Sequence, residues 1–244
     1  MIDFVIVIPV RYDSQRLPGK PLIKILGKEM ILRTLEQCKK SKYAKNIYIV
    51  TDSKKILNLL KKNNFNSVIM SSKKYVTGTD RIAYFAKKIK AKTYINVQGD
   101  EPIINPSDID KIIEFSKKYP SEVINGYSQI KRKKDILSIH IPKVVINNFK
   151  NLIYISRLPI PYINKYKNHV YFKQICIYAF PRKKLIQIFK NKKSPVEKIE
   201  DIEILRFVEN NINVKMIKMS GLSKAVDTQS DIKEITKIIK KNKK

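Results

Sequence analysis

Phe4-Val5-Ile6-Val7-Ile8 places no polar side chain on either face of a strand. An apolar, mostly β-branched run of this kind fits a strand covered on both sides, the situation inside a parallel sheet. It ends at Pro9, and a helix-period segment follows at Met30–Lys40. The alternation then repeats. Strand Asn46–Thr51 leads through Asp52-Ser53, good capping residues, into helix Lys54–Asn63. Strand Ser67–Met70 leads to helix Ile82–Ile89. Strand Thr93–Val97 leads to helix Ser107–Tyr119, with Ser107 behind Pro106 as its cap. Successive strand–helix units predict an α/β protein with a Rossmann-like, mostly parallel sheet and helices on both faces.

The pattern changes after residue 120. Glu122–Ile130, Lys143–Asn147, Ile153–Ile155 and Tyr171–Phe180 read as strands with no long helix between them. They predict a smaller inserted mixed or antiparallel subdomain, approximately residues 122–180, on a single domain spanning 1–244. Such a patch is also a candidate dimer face. Helix patterns return at Arg182–Lys190 and Ile199–Asn210. A strand at Asn213–Met219 and a helix at Ile232–Lys240 close the chain.

In an open α/β sheet, ligands bind beyond the carboxyl ends of the strands. Four segments fall there: Arg11–Lys20, Thr77–Arg81, Gln98–Pro102 and the stretch ending in Asp227. The first holds Arg11, Arg16 and Lys20 around Gly19. That is either a solvated basic loop or a cradle for a phosphate chain. Asp100 stands directly after a buried strand, as a turn residue or as a carboxylate for a hard cation such as Mg²⁺. Asp227 is a helix cap by itself, and half of a metal pair if it meets Asp100. Thr77, Gly78 and Thr79 suit a ribose or base, and equally a capped helix start. Arg81 is a nucleotide contact or a surface salt bridge.

Composition removes several alternatives. The two cysteines, Cys38 and Cys176, have no metal-binding spacing, and His140 and His169 are isolated. A histidine-rich metal centre and a Ser-His-Asp triad are therefore not expected. No apolar run approaches the roughly 18 residues that span a membrane. No signal peptide is read at the start, so a cytoplasmic protein is expected. The formal net charge of +30 raises a basic nucleic-acid-binding protein as a reading of another class. Lysines, however, run from Lys20 to Lys244 without the aromatic interleaving of such proteins, so no nucleic-acid partner is expected.

The run Ile8–Leu22, then Thr77-Gly78-Thr79-Asp80-Arg81, Asn96–Pro102, Tyr154-Ile155-Ser156-Arg157 and Val226-Asp227-Thr228 resemble, in order, the 3-deoxy-manno-octulosonate cytidylyltransferases. The likeness covers nearly the whole chain; that to sialic acid cytidylyltransferases is more distant. It implies the nucleotide-diphospho-sugar transferase fold and transfer of CMP from CTP to the anomeric 2-hydroxyl of a 3-deoxy-2-ulosonic acid, with release of pyrophosphate. It further implies Mg²⁺, a cytoplasmic homodimer and a role in lipopolysaccharide biosynthesis. By this resemblance Arg11, Ser14, Arg16, Lys20, Thr77, Gly78 and Arg81 handle the nucleotide. Asp100 and Asp227 bind metal, and Lys20, Arg16 and Asp100 carry catalysis. Gln98, Arg157, Gln174, Tyr178 and Glu203 lie near the sugar.

The chain departs from the family at Gln174, where a histidine is usual, and at Ile204, where a glutamine is usual. It also departs at Tyr75 and Thr77, where the family has His and Ser. The first two match sugar positions, which leaves a modified Kdo or a sialic-acid-like sugar as an alternative acceptor. A protein that binds CTP without turnover is a further reading.

Overall fold

The computed structural model describes residues 1–14, 17–163, 169–189 and 192–241. Strand β1 (Ile2–Val10) runs through Pro9, two residues beyond the apolar run. A short hairpin, β2 (Lys24–Ile25) and β3 (Lys28–Glu29), precedes helix α1 (Met30–Lys39). Then come β4 (Ile47–Thr51), α2 (Lys54–Lys62), β5 (Val68–Met70), α3 (Gly78–Lys88), β6 (Ala91–Val97) and α4 (Pro106–Lys118). The second half holds β7 (Val123–Gln129), α5 (Lys133–Leu137), β8 (Lys143–Ile146), β9 (Leu152–Ser156) and β10 (Phe172–Pro181). It ends with α6 (Arg182–Phe189), α7 (Pro195–Glu200), α8 (Leu205–Glu209), β11 (Val214–Lys218) and α9 (Gln229–Lys241).

The main sheet has the order β11-β7-β10-β6-β1-β4-β5. Strands β1, β4, β5 and β6 are parallel, and β7 is parallel to β11. Between the two groups β10 runs antiparallel to both neighbours. Strands β7 and β10, read from sequence as part of an insert, thus join the main sheet. The small antiparallel part is β8 with β9, attached to the start of β10.

The reversal of β10 matters for the site. Its first half lies at the edge where the parallel strands end, with Lys173 opposite Ser128 and Gln174 opposite Tyr127. Strand β1 is buried on both faces from Val5 to Val10, as its composition requires. Val5, Val7, Tyr94, Phe180 and Phe207 pack on one side of the sheet. Ile6, Ile8, Ile49, Ile95 and Ile109 pack on the other. Val226, Ile232 and Ile235 pack under the hairpin with Ile25 and Met30, which brings the distant Asp227 segment to the first loop.

Two local expectations change. Asn105, not Ser107, caps α4: its side chain accepts from Ser107 N, and Pro106 takes the first helical position. The helix expected over Ile199–Asn210 is broken, because Asp201 adopts the left-handed conformation at φ 50° and ends α7. The break has a use, since the carbonyls it exposes and Glu203 are both taken up at the cavity.

Candidate active site

A cavity of about 310 Å³ opens at the carboxyl edge of the sheet. The ends of β1 and β6, the start of α3, the first half of β10, the α7–α8 break and the segment before α9 all contribute to it. Arg11, Lys20, Thr77, Gly78, Arg81, Gln98, Asp100, Arg157, Gln174, Tyr178, Glu203 and Asp227 line it. Ser14 does not; its hydroxyl accepts from Leu17 N at 3.4 Å. Arg16 lies outside the described residues. Ile204 is buried in the core and off the cavity lining, so its difference from the family falls in packing.

The first loop reaches the cavity through two glycines. Gly19 turns the chain at φ +64° immediately before Lys20. At Gly99 a Cβ would meet Val10 Cγ2 at 2.7 Å and Pro9 O at 3.1 Å, so glycine lets the end of β6 press against the end of β1. Lys20 Nζ then donates to Asp100 Oδ2 at 2.5 Å, Val226 O at 2.9 Å and Asp227 Oδ1 at 3.3 Å. Burial opposes the charge on Lys20, but the two carboxylates outweigh it and raise its pKa. Asp227 is not the cap of α9. Thr228 takes that place: its hydroxyl accepts from Asp231 N at 3.3 Å, while Asp231 Oδ2 accepts in return from Thr228 N and from Asp227 N. The two carboxylates thus share one cationic group.

The start of α3 is held from two directions. Thr77 is its cap, accepting from Asp80 N at 3.0 Å. Glu203 accepts from Gly78 N at 3.0 Å and Thr79 N at 2.6 Å. Burial pushes the Glu203 carboxyl pKa up, against the bonds from Thr79 and Gly78. Arg81 is not a surface residue: it is 2% exposed and donates to Asp52 Oδ2 at 2.6 Å and Ser71 Oγ at 2.7 Å. Asp52 also accepts from Tyr12 N, tying the first loop to α3. The sequence offered Asp52 only as a capping residue, a place that Ser53 takes.

Across the cavity Arg157 donates to Glu200 O, Ile139 O and Asp201 O at 2.7, 3.0 and 3.0 Å. Behind it Lys143, fully buried, donates to the carbonyls of Arg157 and Ser138. Burial, with Arg157 nearby, lowers the Lys143 pKa to about 8. Gln174 Nε2 donates to Asn125 Oδ1 at 2.9 Å. Asn125 Nδ2 donates to Ile175 O and Ile177 O, across an irregularity in the β7–β10 register. Tyr178 is buried, which raises its hydroxyl pKa well above the usual value. His140 and Lys193 also line the cavity. The histidine was isolated in sequence, and only the loop before β8 brings it here.

Residues 5–219 match the Cytidylyltransferase family model. The chain is 36% identical to the 3-deoxy-manno-octulosonate cytidylyltransferase of Chloroherpeton thalassium, over 98% of this chain and 99% of that protein. Its identity to the enzyme of that name from Fusobacterium nucleatum is also 36%, over 99% and 98%. A solved structure of CMP:2-keto-3-deoxy-manno-octonic acid synthetase complexed with CTP superposes with a TM-score of 0.91 at 31% identity, covering 98% of this chain and 99% of that one. With likeness of this depth running end to end, the chain belongs to the 3-deoxy-manno-octulosonate cytidylyltransferase family.

Proposed function

We propose that this protein transfers CMP from CTP to the anomeric 2-hydroxyl of Kdo and releases pyrophosphate. The observation that carries the reading is the meeting of Lys20, Asp100 and Asp227, from three distant segments, beside Arg11 at one edge of the sheet. The hydroxyl oxygen forms a bond to the α-phosphorus. The bond from that phosphorus to the pyrophosphate oxygen breaks, and the hydroxyl proton passes to solvent. Arg11 and Lys20 would neutralise phosphate oxygens as charge builds on the leaving group. Arg157 keeps guanidinium donors beyond its three carbonyl partners and suits the sugar carboxylate.

Asp100 and Asp227 would hold Mg²⁺, which supplies charge neutralisation at the phosphates and a more acidic attacking hydroxyl. No group of three or more His, Cys, Asp or Glu side chains converges among the described residues. The remaining ligands would then come from phosphate oxygens and water, as Mg²⁺ prefers. Residues 1–244 act as one unit in this reading. A homodimer through the β8–β9 region accounts for exposed Ile153, Leu158 and Tyr162. Among the described residues no helix is long and apolar enough to cross a membrane, and a cytoplasmic enzyme is proposed.

Gln174 favours a second reading of the acceptor alone, a Kdo altered at one hydroxyl. Pyrophosphate release with CTP, Mg²⁺ and each of Kdo, amino-Kdo and a sialic acid tests both. Kdo giving the highest rate supports the first reading, and another sugar the second. No release with any of them defeats the catalytic reading and leaves CTP binding without turnover.

A further inference from the structure

Lys20 Nζ has three N–H groups and meets three acceptors: Asp100 Oδ2, Val226 O and Asp227 Oδ1. No donor remains for a phosphate, so in this arrangement Lys20 serves the carboxylates and not the nucleotide. Its nitrogen also stands where a divalent cation shared by Asp100 and Asp227 would have to stand. Two cations at one such position repel strongly, because the side chains are mostly shielded from water, at 14%, 28% and 21% exposure.

We propose that Lys20 is a resident counter-cation of the carboxylate pair and that it exchanges places with the divalent metal. The ammonium keeps Asp100 and Asp227 together when no metal is bound. When nucleotide and metal arrive, the ammonium moves to the phosphates and the metal takes the carboxylates. The lysine stem is long and flexible, and Lys20 follows the Gly19 turn beside the same cavity, so the move needs no change in the sheet. The device makes metal binding weak without nucleotide and couples the two ligands. It rests on the reading of Asp100 and Asp227 as the metal pair of a cytidylyltransferase.

The test is direct Mn²⁺ binding, followed by electron paramagnetic resonance, with no CTP and no sugar. Lys20→Met should bind Mn²⁺ at least about 10-fold more tightly than the wild type, since a positive charge is removed from between the ligands. Lys20→Gln should behave in the same way, which covers poor folding of the methionine variant, and Lys20→Arg should stay near wild type. Lys24→Met, at a lysine 64% exposed and outside the cavity, should change affinity by no more than about twofold. Adding Asp227→Asn to Lys20→Met should remove the gain. Mn²⁺ should also raise the melting temperature of Lys20→Met more than that of the wild type. Folded Lys20→Met and Lys20→Gln proteins that bind Mn²⁺ no more tightly than the wild type overturn the exchange. Because nucleotide and sugar are absent, this failure is distinct from a failure of pyrophosphate release.

Discussion

The two ends of the cavity are built from different kinds of bond. At the Lys20 end, charged side chains pair mainly with each other, across 80 and 207 positions of sequence. At the Arg157 end, the polar side chains are tied largely to main chain. Arg157 holds three carbonyls, Glu203 holds two N–H groups of α3, and Gln174 leans on an asparagine fixed by two carbonyls of β10. A side-chain ion pair can exchange partners for a phosphate or a metal without moving the backbone. A side chain that closes the main chain cannot. The first end is thus suited to chemistry, and the second to holding the shape into which an acceptor fits.

Asp100→Asn separates the two most strongly. The amide still accepts a hydrogen bond from Lys20 but no longer supplies charge to a metal. Turnover should fall by roughly 10³-fold, the scale of losing one preorganised electrostatic contact, while the circular dichroism spectrum and melting temperature stay close to wild type. Near-normal turnover would remove Asp100 from the chemistry.

The framework behind the second end should respond in stability instead. Arg206 is 2% exposed and donates twice to Glu197, at 2.6 Å each, and once to Asp80 at 2.8 Å. It joins α8 to α7 and α3, on either side of Glu203. Arg206→Met leaves two carboxylates without their cation, and breaking a buried pair in this way costs about 3–5 kcal/mol. Urea unfolding should show that loss. An unchanged midpoint would mean that α3 is positioned without this triad.

Much of the Lys20 end of the cavity was legible in sequence because its residues sit beside strong local signals. Lys20 follows Gly19 in a loop after an apolar strand, and Asp100 follows another such strand. The Asp227 pairing became visible only through the order of motifs along the chain. The other end was less legible because its bonds run to main chain, which leaves little imprint on side-chain pattern. Asn125 sits inside a buried strand of mixed composition, and its role depends on an irregular register in β10. The left-handed Asp201 ends what a 3.6-residue period continues. The buried pairing of Arg81 was not legible, and a surface salt bridge stood beside the nucleotide contact, because its partners Asp52 and Ser71 lie in earlier strand–helix units.

Glu101 sits where the two ends meet, after Asp100 and close to Lys173. It is buried and accepts from Ser223 Oγ at 2.7 Å. Burial raises its pKa from 4.5 to about 7. The folded protein therefore favours the protonated form. The stability that Glu101 contributes is fully present below pH 4.5 and is lost as pH rises through 7. Glu101→Gln stays neutral and keeps the shape. Relative to that variant, the wild type should lose about 3 kcal/mol between pH 4.5 and 7.5 in urea titrations. Parallel pH profiles would show that Glu101 ionises freely at this junction.

The smallest expected effect sharpens the comparison most, because it concerns the acceptor alone. Asn125 Nδ2 lies between two carbonyls, so its Oδ1 must accept, and Gln174 must turn its nitrogen toward it. The Gln174 oxygen is then left out of the Asn125 bond, and under the proposed function this cavity-lining residue would offer it as an uncharged acceptor to a hydroxyl or amine of the sugar. Gln174→Leu removes that acceptor and leaves Asn125 Oδ1 without its donor. The cost of about 1–3 kcal/mol corresponds to roughly 5- to 150-fold in kcat/KM for the sugar. KM for CTP should not change, since no bond of Gln174 reaches the Lys20 end. An effect on CTP as large as that on sugar would show that the two ends are coupled through β10, and the division drawn between them would fail.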